Sequence, residues 1–259
     1  MPAEQENETA AALADGPSTS RAPLVSPTTR RNGDDPGTSP AGPARLRMRE
    51  EILLSPGARL GDNYRIVRVL GIGGMGTVYL AHDEGLDRQV AIKVVRSDLA
   101  SELATLERFR AEARTMARLS HPHVVGVHAL GETEGRPYLV MEHVPGITLS
   151  RFVRERGELL RPEEVLAILD QVCRGVSAIH AAGLVHRDLK PANVLIGPAF
   201  RIVVSDLGLT HRVGQGTTSW GTPGYTAPEL ISGEPPPAEL ARRVDVYAIG
   251  AMAYELFTG

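Results

Sequence analysis

The sequence predicts an α+β fold in which a small antiparallel β-sheet lobe precedes a mainly helical lobe. The first observation is a series of short runs rich in Val, Ile and Tyr between residues 64 and 144, several of them separated by Gly-containing turns. The second is a change to helical spacing at Pro162, in a segment that opens with Pro and Glu and closes on Gly183. The order of these segments indicates two lobes.

The first lobe is predicted to contain five strands and one main helix. The segments "YRIVRVL", "TVYLAH" and "QVAIKVV" predict its first three strands. The segment "LATLERFRAEARTMARL" predicts the helix, because Leu106, Phe109, Ala113, Met116 and Leu119 recur at helical spacing. Two further strands are predicted in "HVVGVHAL" and "PYLVMEHV".

The second lobe is predicted to be mainly helical. Its first long helix lies in "PEEVLAILDQVCRGVSAIHAAG". A short strand pair, "NVLIG" and "RIVVSD", comes next, and a loop rich in Gly, Thr and Ser follows it. The last segment, "DVYAIGAMAYELFTG", is apolar almost all round, which predicts a buried helix.

Composition separates residues 1–57 from the rest of the chain. This segment holds eight of the 19 prolines and no aromatic residue. Because such a segment cannot bury enough apolar surface to offset its chain entropy, it is predicted to be a disordered tail. The first lobe is placed at residues 58–143 and the second at residues 144–259. Met48 is an alternative start of the chain.

Charge and cysteine content exclude several classes of protein. The formal net charge of −3 gives no reason to expect nucleic acid or an anionic membrane as the main partner. A single cysteine, Cys173, excludes an intramolecular disulfide and fits a reducing, cytoplasmic setting. No signal peptide or membrane segment is expected, because the first residues are acidic and the last apolar stretch is short and carries Asp245 and Glu255.

The segment "GIGGMGTV" (residues 71–78) contains three glycines spaced as G-x-G-x-x-G. A dinucleotide-binding turn would need a helix after Gly76, whereas Thr77, Val78 and Tyr79 favour a strand. A glycine loop between two strands allows backbone N–H groups to close over phosphates. A plain Gly-rich hairpin is the alternative interpretation of this motif by itself.

Two charged residues follow in the same lobe. "VAIK" places Lys93 on the third strand, and Glu112 lies beside the apolar stripe of the next helix. Because an unpaired buried carboxylate is costly, Glu112 needs a positive partner, and Lys93 is the candidate. A solvated helix carboxylate is the alternative for Glu112.

Three more motifs complete a set: "HRDLKPAN" (residues 186–193), "SDLG" around Asp206 and "APE" (residues 227–229). Together with "GIGGMGTV", "VAIK" and Glu112, they closely resemble the eukaryotic-type protein kinase family, of the kind also found in bacteria, over about residues 60–259. "DLKPAN" and "GTPGY" (residues 221–225) resemble its serine/threonine subgroup. The resemblance implies a two-lobed, protein-kinase-like fold and transfer of the ATP γ-phosphate to Ser and Thr hydroxyls of proteins.

The resemblance also implies a role for each catalytic residue. Asp188 would accept or orient the proton of the substrate hydroxyl, and Lys190 would add positive charge near the transferring phosphate. Lys93, fixed by Glu112, would hold the α- and β-phosphates.

By the same resemblance, the cofactors are ATP and Mg²⁺ or Mn²⁺. Asn193 and Asp206 would hold the metal through oxygen ligands. Met141 would guard the back of the adenine pocket, and Val78, Ala91 and Leu195 would enclose the ring. The residues implied for the nucleotide are Leu70, Gly71, Ile72, Gly73, Gly74, Met75, Gly76, Val78, Ala91, Lys93, Glu112, Met141, Glu142, Val144 and Leu195. Backbone groups of Glu142 and Val144 would contact the adenine edge.

Regulation through the loop between Asp206 and Glu229 is a further implication. Arg187 precedes Asp188, and in the family such an arginine often contacts a phosphate on this loop. We expect autophosphorylation, so that the partners are protein substrates and the chain itself. The candidate acceptors are Thr217, Thr218 and Ser219, whereas Thr222 is expected to be structural.

The sequence departs from the family pattern in two ways. Leu207 stands where the family usually has Phe, and because Leu is also apolar we expect activity to be retained. The family normally continues with helices that cover the segment from Asp245 and supply an arginine for Glu229. The helical lobe is therefore expected to be incomplete after its central helix. Asp245 is expected to tie that helix to the backbone of His186 and Arg187. The alternatives to an active kinase are an ATP-binding pseudokinase or scaffold and a non-functional kinase fragment.

Overall fold

A computed structural model describes residues 53–74, 76–96, 103–206, 224–232, 237 and 240–259, all within the compact unit Arg49–Gly259. Most of the predicted tail lies outside these residues. Several predicted functional residues also lie outside them, namely Met75, Leu207, Gly208, Thr217, Thr218, Ser219 and Thr222.

The first lobe is built on an antiparallel sheet. In the part of the chain that the structure describes, its strands are β1 (Arg59–Leu60), β2 (Tyr64–Gly73), β3 (Gly76–Asp83), β4 (Arg88–Val95), β5 (Val127–Thr133) and β6 (Arg136–Glu142). They lie in the order β1-β2-β3-β4-β6-β5. The helix α1 (Leu103–Met116) connects β4 to β5 in sequence.

The central strands β3 and β4 are buried on both faces, which explains their nearly continuous apolar sequences. The side chains of β4 alternate between two separate cores, one on each face of the sheet. Ile92 packs in the core of the sheet's outer face, while Ala91 and Val95 join the core that contains Phe109 and Met116 of α1. That second core continues into the helical lobe, so the two lobes share one apolar interior.

Residues 53–57, which the composition placed in the tail, contact the first lobe. The Gly57 N–H donates to the Ile66 carbonyl oxygen at 2.8 Å, and the Leu54 N–H donates to the Tyr79 hydroxyl at 3.2 Å. The Leu54 side chain also packs against the outer-face core. Ile52, Leu53 and Leu54 form an apolar run that is too short to show a period, so composition alone assigned it to the tail.

The second lobe combines a small sheet with helices. The described elements are β7 (Ile147–Thr148), α2 (Leu149–Arg156), α3 (Pro162–Ala181), β8 (Val194–Ile196), β9 (Ile202–Val204), α4 (Pro228–Ile231) and α5 (Arg243–Thr258). The three strands pair in the order β7-β8-β9. The long helix α3 begins where Pro162 follows a capping residue whose N–H donates to the Glu164 carboxylate, and it ends just before Gly183, which has a φ of +78°.

The helix α5 is buried along one stripe rather than all round. Its buried residues are Val244, Asp245, Ala248, Met252 and Leu256. Ala248, Met252 and Leu256 join the core that includes α3, Asp245 contacts His180 of α3, and Val244 packs with Ala227 and Leu230. The side chains of Val246, Tyr247, Tyr254 and Phe257 are exposed. The buried positions of α5 thus recur every three or four residues, and its remaining apolar side chains lie at the surface of the described residues. None of the helices in the described ranges has the length and apolar character needed to cross a membrane.

Gly76 allows the closest backbone approach in the glycine-rich hairpin. Its φ is +153°, and an added Cβ would lie 2.0 Å from the Val94 carbonyl oxygen. We therefore expect Gly76→Ala to destabilise the protein by roughly 2–4 kcal/mol, measured by urea unfolding. Gly74→Ala is the matched control, because an added Cβ there meets nothing within 4 Å, and it should change stability by at most about 0.5 kcal/mol. Equal stability of the two variants would contradict this prediction.

Candidate active site

The loop after α3 is attached to α5 through a buried carboxylate. Asp245 is 1% exposed, and it accepts the N–H of His186 at 2.9 Å and the N–H of Arg187 at 2.8 Å. The Nε2 atom of His180 lies 2.7 Å from the same carboxylate. The expectation that Asp245 ties its helix to this loop is confirmed.

The same loop holds a strained residue. Arg187 has a φ of +66°, a backbone conformation that costs a residue with a side chain about 1 kcal/mol or more. The bond from its N–H to Asp245 and the contact of 2.9 Å between His186 Nε2 and the Ser205 carbonyl oxygen hold the loop in place on both sides. The backbone that carries Asp188 is therefore fixed by the fold.

Asp188, Lys190 and Asn193 form one hydrogen-bonded cluster. Lys190 Nζ donates to both carboxylate oxygens of Asp188, at 3.0 and 2.9 Å. The side-chain amide of Asn193 donates to the Asp188 carbonyl oxygen at 2.7 Å and to its carboxylate at 3.0 Å. A polar cluster satisfied in this way has one preferred geometry, so the carboxylate of Asp188 is oriented before any substrate arrives.

Asn193 and Asp206 are held close to each other by Ser205. The Asn193 carbonyl oxygen accepts the Ser205 N–H at 2.9 Å and the Ser205 hydroxyl at 3.1 Å. Ser205 directly precedes Asp206, which has a φ of +54°. In the described ranges, no group of three His, Cys, Asp or Glu side chains is arranged to bind a metal, so a metal here would need further oxygen ligands from elsewhere.

Lys93 and Asp206 form an ion pair between the lobes. Lys93 Nζ donates to Asp206 Oδ1 at 2.7 Å, and the side chains are 10% and 37% exposed. Burial favours the neutral form of Asp206, but the Lys93 ammonium, together with His186 and Lys190, keeps the pKa of Asp206 below its usual value. Asp206 is therefore an anion at neutral pH.

Lys93 has an ion-pair partner in Asp206 in this conformation. An almost fully buried ammonium requires a close anion, and Asp206 meets that requirement from the second lobe. Glu112 lies half-buried on α1, and its contact with Lys93 stays a prediction.

Part of the predicted nucleotide set packs around one apolar core. Gly73 pairs with Gly76 at the tip of the β2–β3 hairpin, and a strand rather than a helix follows Gly76, as predicted. Ala91 lies opposite Met141 in the sheet register, and Val144 belongs to the same buried core. Val78 and Leu195 pack against that core from the first and second lobes. Leu70 and Ile72 are exposed on the hairpin.

Sequence reasoning missed two polar contacts near this site. The partner of Asp245 on α3, His180, was not singled out, although its polar side chain directly follows the buried Ile179. The Tyr225 hydroxyl donates to the Glu255 carboxylate of α5. Burial and this bond raise the pKa of Tyr225. No local pattern in the sequence joins residues so far apart.

Comparison with known proteins identifies the family. The model of the protein kinase domain matches residues 64–259, and the chain belongs to this family. Members of the family phosphorylate proteins and use ATP with Mg²⁺ or Mn²⁺. The predicted two-lobed fold and the predicted family are confirmed.

The similar proteins are bacterial. Serine/threonine-protein kinase PrkC of Bacillus subtilis is 38% identical over 208 residues, which cover 78% of this chain and 31% of PrkC. Serine/threonine-protein kinase PknA of Mycobacterium tuberculosis is 42% identical over 214 residues, which cover 78% of this chain and 48% of PknA. The crystal structure of the Mycobacterium tuberculosis PknI kinase domain matches with a TM-score of 0.65 and 34% identity, over 80% of this chain and 78% of that one. The chain thus spans about a third to a half of the length of these curated relatives.

Proposed function

We propose that this chain is a serine/threonine protein kinase that transfers the γ-phosphate of ATP to hydroxyl groups of proteins. The observation that supports this most directly is the cluster of Asp188, Lys190 and Asn193, which stands in the same interlobe region as the Lys93–Asp206 pair. Phosphoryl transfer depends mainly on positioning and charge neutralisation, and these are the properties that such a cluster provides.

In the proposed reaction, the carboxylate of Asp188 orients the acceptor hydroxyl and receives its proton. The hydroxyl oxygen forms a bond to the γ-phosphorus while the bond from that phosphorus to the bridging oxygen breaks, and ADP leaves. Lys190 Nζ, already within 3.0 Å of the carboxylate, would offset the negative charge that spreads over the transferring group.

Lys93 and Asp206 would exchange partners when nucleotide binds. The ammonium would bind phosphate oxygens, and the carboxylate would become a metal ligand. Because the amide nitrogen of Asn193 donates to Asp188, Asn193 Oδ1 is the oxygen that a hard cation would take. A bound Mg²⁺ or Mn²⁺ would supply charge neutralisation across the phosphates. Glu112 would hold Lys93 in position while the ammonium binds the phosphates.

The hydrophobic part of the nucleotide site would lie below the glycine-rich hairpin. Val78, Ala91 and Leu195 would enclose the adenine, with Met141 at the back. Backbone groups of Glu142 and Val144 would lie at its edge. Their shared apolar core supports this assignment, because ligand sites are mostly apolar with a few oriented polar groups.

Transfer of labelled phosphate from Mg-ATP to a Ser/Thr-rich acceptor protein tests the proposal. We expect label to appear on the acceptor, to vanish when EDTA removes the metal, and to return with added Mg²⁺ or Mn²⁺. Asp206→Asn should lower the transfer, since it removes an anionic metal ligand. A chain that binds nucleotide and transfers no phosphate would instead be an ATP-binding scaffold, and a chain that is insoluble or binds no nucleotide would be a non-functional fragment.

We also propose that the chain phosphorylates itself on Thr217, Thr218 or Ser219, which lie outside the described residues. The position of Arg187 next to Asp188 supports this, because an arginine there can pair with a phosphate on the following loop. Mass spectrometry after incubation with Mg-ATP should find phosphate within residues 210–222. Phosphate confined to other segments would contradict this assignment.

A further inference from the structure

The last residue of β6 is held at its backbone and at its side chain. The Glu142 N–H donates to the Gly126 carbonyl oxygen at 2.8 Å, and the Glu142 carboxylate accepts the Gly126 N–H at 3.4 Å. The same carboxylate forms an ion pair with the guanidinium of Arg201. Glu142 belongs to the first lobe and Arg201 to the second, so the ion pair crosses between the lobes behind the connecting segment.

Arg201 is presented by a strained turn between β8 and β9. The two preceding residues, Ala199 and Phe200, have φ values of +54° and +58°, a conformation that residues with side chains adopt at a cost. The turn is closed by the bond from the Gly197 N–H to the Arg201 carbonyl oxygen at 2.8 Å. Strain of this kind persists only where the surrounding structure enforces it.

Two side chains enforce this turn. Gln171 of α3 accepts the Ile202 N–H at 3.0 Å and donates to the Phe200 carbonyl oxygen at 3.4 Å. The Phe200 ring packs edge-on against Phe152 of α2, with ring centroids 6.2 Å apart. The backbone of Arg201 is thus fixed on both sides by helices of the second lobe.

The strand after Arg201 is also bonded to the segment that precedes β5. The Val204 N–H donates to the His123 carbonyl oxygen, and the Val125 N–H donates to the Val204 carbonyl oxygen, both at 2.9 Å. Gly126 directly follows Val125 in the sequence. The three residues Gly126, Glu142 and Arg201 therefore meet where the first lobe, the second lobe and the connecting chain join.

We propose that Arg201 is a positioning residue for nucleotide binding, acting through Glu142. Its ion pair fixes the backbone from Glu142 to Val144, which is the segment expected to contact the adenine edge. This inference rests on the proposed function. With side chains that are 36% and 31% exposed, the pair contributes little to global stability, so its effect is local. Fixing a ligand-binding backbone beforehand lowers the ordering cost of binding.

Steady-state kinetics of Arg201→Ala provide the first test. We expect the KM for Mg-ATP to rise about 3- to 10-fold while kcat changes less than about 2-fold, as expected for lost ground-state binding. Arg174→Ala is the matched control, because Arg174 forms an exposed pair within α3 with Asp170, at 2.8 Å, and it should leave KM unchanged. Arg201→Lys keeps the charge and should recover part of the affinity.

A double-mutant cycle tests whether the two residues act together. Arg201→Ala should have no further effect on KM in a Glu142→Gln background. Additive effects in the cycle would overturn the proposal. A rise in kcat at unchanged KM would also overturn it, because that result would mean that the pair restrains lobe motion instead of ordering the hinge.

Hydrogen exchange in the protein without nucleotide provides a test that needs no catalysis. Arg201→Ala should speed exchange of the backbone amides in residues 142–146, and Arg174→Ala should not. Unchanged exchange would overturn the proposal even in an active kinase. An inactive wild-type chain would contradict the proposed function, while the exchange experiment would still decide whether Arg201 orders the hinge.

Discussion

Replacing Asp188 with Asn is expected to lower the rate of phosphate transfer about 10²- to 10⁴-fold with little change in stability. Asn has the same shape but cannot accept the hydroxyl proton. The bond from the Asn193 amide to the carbonyl oxygen of residue 188 does not depend on the side chain, so the loop should keep its conformation. The measurement is kcat at saturating Mg-ATP, together with a melting curve for each protein.

Asp170→Asn is the matched control for this variant. Asp170 lies on the surface of α3, where its side chain is 57% exposed and pairs with Arg174. Its substitution should leave both transfer and melting unchanged. If Asp188→Asn kept more than about a tenth of the wild-type rate, another group would have to receive the proton, since proton transfer by a side chain contributes at least about 10²-fold.

Replacing Asp245 with Ala is expected to destabilise the protein by about 3–5 kcal/mol. The substitution leaves the N–H groups of His186 and Arg187 buried without an acceptor and removes the partner of His180. Since a whole domain is stable by only about 5–15 kcal/mol, this loss would be a large part of the total. In a melting experiment it corresponds to a decrease in Tm of roughly 6–20 °C.

Two further variants distinguish this mechanism from a general effect of losing a carboxylate. Asp170→Ala removes an exposed carboxylate and should cost at most about 1 kcal/mol. Asp245→Asn keeps the volume and one acceptor, so its cost should lie between those of the two alanine variants. If Asp245→Ala melted at the same temperature as Asp170→Ala, the stability of the loop that carries His186 and Arg187 would not depend on the Asp245 carboxylate.

Local patterns in the sequence were sufficient to predict the longer strands and helices. Strands β3 and β4 alternate between two apolar cores, and α3 carries both its start and its stop signal. Strands β1 and β7 were missed because two residues carry no periodicity. The helix α2 was also missed, although its signals are present: the Thr148 side chain accepts the Arg151 N–H, and Gly157 ends the helix with a φ of +69°.

Contacts between distant residues account for what could not be predicted. The motifs placed Lys93, Asp188, Asn193 and Asp206 in one site, but no spacing in the sequence indicates that Lys93 and Asp206 form an ion pair. That pairing depends on how the two lobes meet, and the lobes meet through contacts such as that of Glu142 with Arg201. The contact of Asp245 with the loop was anticipated only through the resemblance, since 58 positions separate it from Arg187.

The ion pair of Lys93 with Asp206 has a consequence for ligand selection. Each charge is the counterion of the other, so the two side chains together carry no net charge. If a free anion bound Lys93, the Asp206 carboxylate would lose its counterion. An anion that binds together with a cation supplies a new partner for Lys93 and a new partner for Asp206. Metal and nucleotide are therefore expected to bind with positive cooperativity, and nucleotide without metal is expected to bind more weakly.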